Sequence, residues 1–244
     1  MPFKDYFYFR ELEYVIYTIY NSEMLYLLRR YLIEIDVDRW SWIEAVYEKL
    51  KTSSGTAREQ MDEFAREARQ ELYHSEDEIY EFINNDSNYS KLLKGELGDN
   101  LINKYREMAL SDGFFGWLDV ACETASQLCK LQGKDDQKIL DALSCIKKYC
   151  NEKYDISKYF DELPQAGKKT LISFDFDIKR WEDENGLRLS DCHGKTTYEQ
   201  WFDEDQLKKI VSILGSGHEK IQTRQFIFRD RKHHAFMPHY TKVN

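Results

Sequence analysis

Only three prolines occur in 244 residues, Pro2, Pro164 and Pro238, so nothing from position 3 to 163 forbids helix. No apolar run approaches the roughly 20 residues of a membrane-spanning helix, because Glu13 and Glu23 interrupt the most hydrophobic stretch. The Met1–Asp5 start does not read as a secretory signal. The five cysteines, Cys122, Cys129, Cys145, Cys150 and Cys192, are odd in number and have no paired short spacings. Reduced thiols in a cytoplasmic protein with no membrane partner are therefore expected. Missing as well is any set of cysteine, histidine or carboxylate residues at the spacing of a known catalytic or metal centre, so composition and periodicity alone assign no chemistry.

What is present is apolar and acidic. Hydrophobic residues make up 42% of the chain and aromatics 15%, ample for a sizeable core. Residues 1–160 carry 21 basic against 30 acidic side chains, residues 161–217 carry 8 against 12, and the tail from His218 to Asn244 reverses the sign with 6 against 2. An acidic body repels nucleic acid and anionic membranes. The tail offers Arg224, Arg229, Arg231 and Lys232 as candidate anion contacts, in competition with a merely solvated segment.

Helical spacing dominates the first two thirds. Leu12, Val15, Ile16, Ile19 and Tyr20 recur at three- and four-residue steps, and Leu25, Leu28, Leu32 and Ile35 continue after an Asn21-Ser22 break. Asp38 is placed to cap a helix carrying Trp40, Ile43, Val46, Tyr47 and Leu50. Thr56-x-x-Glu59 and Ser75-x-x-Glu78 read as capping boxes that open the next two helices. Asp112-Gly113 introduces a helix closed by Gly133, and Asp135 or Asp136 starts another.

After Pro164 the period changes from 3.6 to 2. Ile172, Phe174, Phe176 and Ile178 alternate with Ser173, Asp175 and Asp177, which predicts a strand over 170–178 with an apolar core face and an acidic outer face. Tyr198–Phe202 and Gln225–Phe228 read as two further strands, and Asp203 as the cap of an intervening helix. The expected fold is mainly α, a multi-helix bundle over 1–165 followed by a small α+β cap over 166–244 with a short sheet and a basic tail.

Several constellations compete with duller readings. Asp191-Cys192-His193 is a ligand mixture that zinc accepts, but zinc needs three or four converging ligands and no CxxC or HxxxH accompanies it. His218, His233, His234 and His239 carry no sign of converging. No metal site is expected. Cys122 and Cys129 lie on an apolar helix face, where cysteine behaves as a small hydrophobe. Asp175 and Asp177, on one face of a strand, would lie about 6 to 7 Å apart, a spacing open to acid–base or cation chemistry and equally to neutralisation by Lys179 or Arg180. The aromatic series Tyr6-Phe7-Tyr8-Phe9 and Tyr14, Tyr17, Tyr20, Tyr26 and Tyr31 is either core or a docking face.

Two groups of motifs resemble a known family. Pro2-Phe3-Lys4 through Glu11-Leu12-Glu13, then Ile19-Tyr20-Asn21-Ser22 and Leu27–Leu32, are similar to the region that follows the catalytic barrel of cobalamin-binding-domain radical SAM proteins. Phe174-Asp175-Phe176-Asp177 with Trp181, then Tyr198–Phe202 with Asp203-Glu204-Asp205-Gln206-Leu207, resemble the pattern that closes such chains. The family's Cys-x-x-x-Cys-x-x-Cys loop, a glycine-rich S-adenosylmethionine segment and a cobalamin domain are missing. The resemblance therefore implies a non-catalytic auxiliary domain that helps enclose substrate beside a separate radical SAM core, with Asp175, Asp177 and Trp181 as substrate or partner contacts. It implies an iron–sulfur cluster, S-adenosylmethionine and cobalamin only through such a core partner, none bound by this chain. The alternative is a stand-alone helical interaction module whose aromatic face binds a partner and whose basic tail binds an anion.

Overall fold

A computed structural model describes residues 2–73, 75–93, 100–134, 136–215, 227 and 232–243, without the side chains of 157, 232 and 233. Among the described residues nine α-helices precede the sheet: α1 (Phe3–Val15), α2 (Tyr26–Glu34), α3 (Arg39–Thr52), α4 (Thr56–Gln70), α5 (Glu76–Ile83), α6 (Asp86–Leu93), α7 (Leu101–Leu110), α8 (Phe114–Leu131) and α9 (Gln137–Tyr154). Strand β1 (Thr170–Phe176), helix α10 (Ile178–Asp183), strand β2 (His193–Trp201), helix α11 (Glu204–Leu214) and strand β3 (His239–Lys242) complete the described α-helices and strands. The mainly helical bundle with a small α+β cap is thus the observed fold. No described helix is long and apolar enough to cross a membrane.

Local signals account for most helix starts. Asp38 accepts from Ser41 N–H at 2.7 Å, Ser75 from Glu78 N–H at 3.2 Å and Asp136 from Lys138 N–H at 2.9 Å. Asp203 and Gln206 form a complete capping box on α11. Thr56 corrects one expectation. It is already helical, and Gly55, with φ +93°, takes the cap position, so the Thr56 hydroxyl is not placed to cap Glu59. The break after Tyr20 is a π-helical turn over Ile16–Tyr20, closed by Asn21 N–H on the Ile16 carbonyl at 3.0 Å.

The bundle packs around aromatics whose polar ends are paired. The Tyr14 ring stacks on Phe64 with centroids 4.6 Å apart and meets Trp117 edge-on at 5.2 Å. Trp117 Nε1 donates to Gln60 Oε1 at 2.9 Å, and Trp42 Nε1 to the Ala121 carbonyl at 3.0 Å. A Cβ at Gly113 would stand 2.3 Å from Gln60 Oε1, so a larger residue there would push the Gln60 carboxamide off Trp117.

The sheet is antiparallel in the order β1-β2-β3. Its third strand is His239–Lys242, whereas the expected strand at Gln225–Phe228 falls, apart from Ile227, outside the described residues. Phe174 pairs with Thr196 but Phe176 with His193, so β2 bulges by one residue at Gly194–Lys195, where Gly194 supplies φ +137°. Helix α9 covers the sheet from the bundle side. The Tyr149 ring contacts Phe174 at 5.4 Å and Tyr240 at 5.3 Å. Along the outer edge of β1, Lys148 Nζ donates to the Ser173 carbonyl at 2.7 Å and the Cys145 thiol lies against the N–H groups of Phe176 and Asp175. One hydrophobic cluster runs from Phe7 in α1 to Phe236 beyond α11, across the 165/166 boundary.

Candidate functional site at the seam of bundle and cap

The alternation predicted for 170–178 holds as far as Phe176 and then stops. Ile172 is half-buried, Phe174 and Phe176 are buried, and Asp175 faces solvent. Asp177 does not share the face of Asp175. The chain leaves the strand there, and Asp177 caps α10, its Oδ1 accepting from Arg180 N–H at 3.4 Å. The same carboxylate accepts from the Tyr198 hydroxyl and, at 2.7 Å, from Lys242 Nζ, so one buried side chain ties the exit of β1 to the interior of β2 and the last residue of β3. The two carboxylates therefore form no catalytic pair.

Burial pushes the Asp177 pKa up, but the Lys242 ammonium, the Tyr198 hydroxyl and the Arg180 N–H outweigh it and hold the carboxyl below the usual carboxylate range. A folded-state pKa below the unfolded one gives stability that is complete above the unfolded value of about 4 and lost as pH falls through the lower folded value. Asp177→Asn should thus destabilise the chain near neutrality, and the gap from the parent should narrow as pH drops below about 4. Urea unfolding from about pH 6 down to about pH 3 reads this directly. A gap that stays constant with pH would mean the Lys242 pairing contributes nothing.

Trp181 is likewise turned inward. It is fully buried, its ring lies 4.5 Å from the Arg30 guanidinium carbon and 6.4 Å from the Tyr31 ring, and its Nε1 donates to Glu34 Oε2 at 3.1 Å. The other Glu34 oxygen accepts from Leu189 N–H at 2.8 Å. Arg30 forks onto the carbonyls of Trp181 at 2.6 Å, Glu184 at 2.9 Å and Leu187 at 3.1 Å. From the other side, Glu182 accepts from the Tyr149 hydroxyl at 2.7 Å and from Lys153 Nζ at 2.5 Å. Helices α2 and α9 therefore clamp α10 between them. Of the three contacts implied by the family resemblance, Asp175 alone is exposed.

Beside this clamp, α2, the start of α9 and the segment from Arg188 to His193 enclose a groove of about 450 Å³. Tyr31, Ala142 and Phe176, all buried, form its floor, and the exposed Asp136, Lys138, Arg188, Ser190 and His193 form its rim. Arg188 Nε stands 4.0 Å from Glu34 Oε1, while its side chain stays 64% exposed and so keeps donors free for a ligand. The His193 ring meets Phe176 edge-on at 5.1 Å. A concave site of this size, with an apolar floor and a few polar groups on its rim, suits a small ligand with an apolar body and an anionic group facing Arg188.

The remaining sequence candidates do not assemble. Asp191 and His193 are exposed while Cys192 between them is buried. His239 Nε2 stands 3.1 Å from Asp203 and His234 Nε2 3.3 Å from Glu23, so these imidazoles go to different carboxylates. Arg224, Arg229 and Arg231, with the Lys232 side chain, lie outside the described residues. All five thiols are free and buried, and burial pushes Cys122 up to about 12 and Cys145 up to about 11, which keeps them protonated and unreactive at neutral pH. Among the described residues no three His, Cys, Asp or Glu side chains converge to hold a metal.

Compared with protein-family models, with curated proteins and with solved structures, the chain shows no match.

Proposed function

We propose that the chain is a non-catalytic auxiliary module that helps enclose a small substrate beside a separate core protein, as its resemblance to the C-terminal region of cobalamin-binding-domain radical SAM proteins implies. The observation that carries this reading is the groove at the seam, a ligand-sized hollow whose rim holds Arg188, Lys138 and His193 and no activated nucleophile. In this reading the chain supplies shape and charge, and the iron–sulfur cluster, S-adenosylmethionine and cobalamin belong to the core.

The test pairs the chain with a radical SAM core protein that carries the Cys-x-x-x-Cys-x-x-Cys loop. The two should co-elute, and Ser190→Trp, which fills the groove from its exposed rim, should lower turnover of the complex by about tenfold or more by excluding substrate. Its thermal midpoint and its binding to the core should stay at parent levels, since Ser190 is exposed and contributes nothing to the buried core. Unchanged turnover with the groove blocked would sink the proposal, as would a core protein equally active without this chain.

A further inference from the structure

The helical hairpin α5–α6 is built unlike the rest of the bundle. Its two helices pack on each other, yet no residue of either is buried and none joins the hydrophobic core. Six large apolar side chains stand in the open: Ile79 at 40% exposure, Tyr80 at 63%, Ile83 at 45%, Tyr89 at 53%, Leu92 at 36% and Leu93 at 72%. Exposed apolar residues occur on other helices too, such as Ile33 on α2 and Leu131 on α8, but those helices also bury core residues, whereas this hairpin buries none and exposes a run of six, which marks it as a surface for a partner. The spacing agrees, because Ile79 and Ile83 are four apart and Tyr89 and Leu93 are four apart, which aligns each pair on one helix face.

The charge on the hairpin chooses among partners. Among the hairpin's described residues Glu76, Asp77, Glu78, Glu81 and Asp86 stand against one basic side chain, Lys91. An anionic membrane or a nucleic acid would be repelled, and a second copy would bring the same acidic rim against its own. We infer that α5–α6 docks a basic amphipathic helix of another protein, its apolar face over Ile79, Tyr80, Ile83 and Leu93 and its Lys or Arg residues against Glu76, Asp77 and Glu81. This surface is separate from the seam groove, and the inference holds whatever the groove binds.

A fluorescein-labelled synthetic helix with Leu at helical spacing and Lys elsewhere serves as the probe, titrated with the full chain and followed by anisotropy. A counterpart with Glu in place of every Lys is the control. The Lys probe should bind, and Ile83→Gln with Leu93→Gln should weaken it by about tenfold, as loss of central apolar anchors does. Asp77→Asn with Glu81→Gln should weaken it and flatten its salt dependence. Circular dichroism should be the same for all variants, because the altered side chains are exposed. Equal binding of the Glu control, or undiminished binding by the apolar variants, would overturn the inference. So would a dimer of the parent chain that Leu93→Gln dissolves, which would assign the face to a second copy.

Discussion

Trp181→Ala is expected to destabilise the chain by about 3–5 kcal/mol, the range for emptying a fully buried indole site. The loss has three parts. A fully buried ring is removed from beside Arg30 and Tyr31, a void is left at the junction of α2 and α10, and Glu34, a carboxylate that is 10% exposed, loses the indole donor on Oε2 and keeps the Leu189 N–H and the Arg188 guanidinium, both on Oε1. Trp181→Phe should recover much of the packing but not the donor, so its cost should fall between parent and alanine. Urea unfolding followed by circular dichroism gives both values. A cost below about 1 kcal/mol for alanine would show that the cap does not depend on this clamp. Binding defects of Trp181 variants should accordingly track their stability.

Phe174→Ala should cost a comparable amount, about 3–5 kcal/mol. Phe174 is 2% exposed, contacts the rings of Tyr149 at 5.4 Å and Tyr198 at 6.1 Å, and lies under Lys148 Nζ at 5.3 Å. Its neighbour provides the control. Asp175 is exposed on the opposite side of β1, so Asp175→Asn should stay within about 0.5 kcal/mol of the parent. If the family reading is right, that same change weakens association with a core protein while the isolated fold survives. Equal destabilisation by the two substitutions would make the acidic side of β1 structural and remove Asp175 from the proposal.

What could be read from the residues was local. Apolar spacing marked the helices, and Asp38, Ser75, Asp136 and Asp203 announced helix starts, because a cap and its N–H partner sit within three residues of each other. Period-two alternation found β1, yet it carried Asp177 onto the wrong face. Alternation describes a strand only while the strand lasts, and Asp177 begins a helix. β3 escaped notice because four residues, His239-Tyr-Thr-Lys242, give no alternation to detect. The groove had no signature at all. Tyr31, Asp136, Phe176 and Arg188 come from four distant segments, and only the clamp on α10 brings them together. The open faces of α5 and α6 were equally hidden, since amphipathic spacing looks the same whether a helix is covered or bare.

The outer edge of β1 bears on self-association. Lys148 and Cys145 engage its main chain at Ser173, Asp175 and Phe176, toward the C-terminal end of the strand. A strand of another copy pairing there would first have to displace both contacts. The lysine and the thiol therefore guard that end of the edge against edge-to-edge growth.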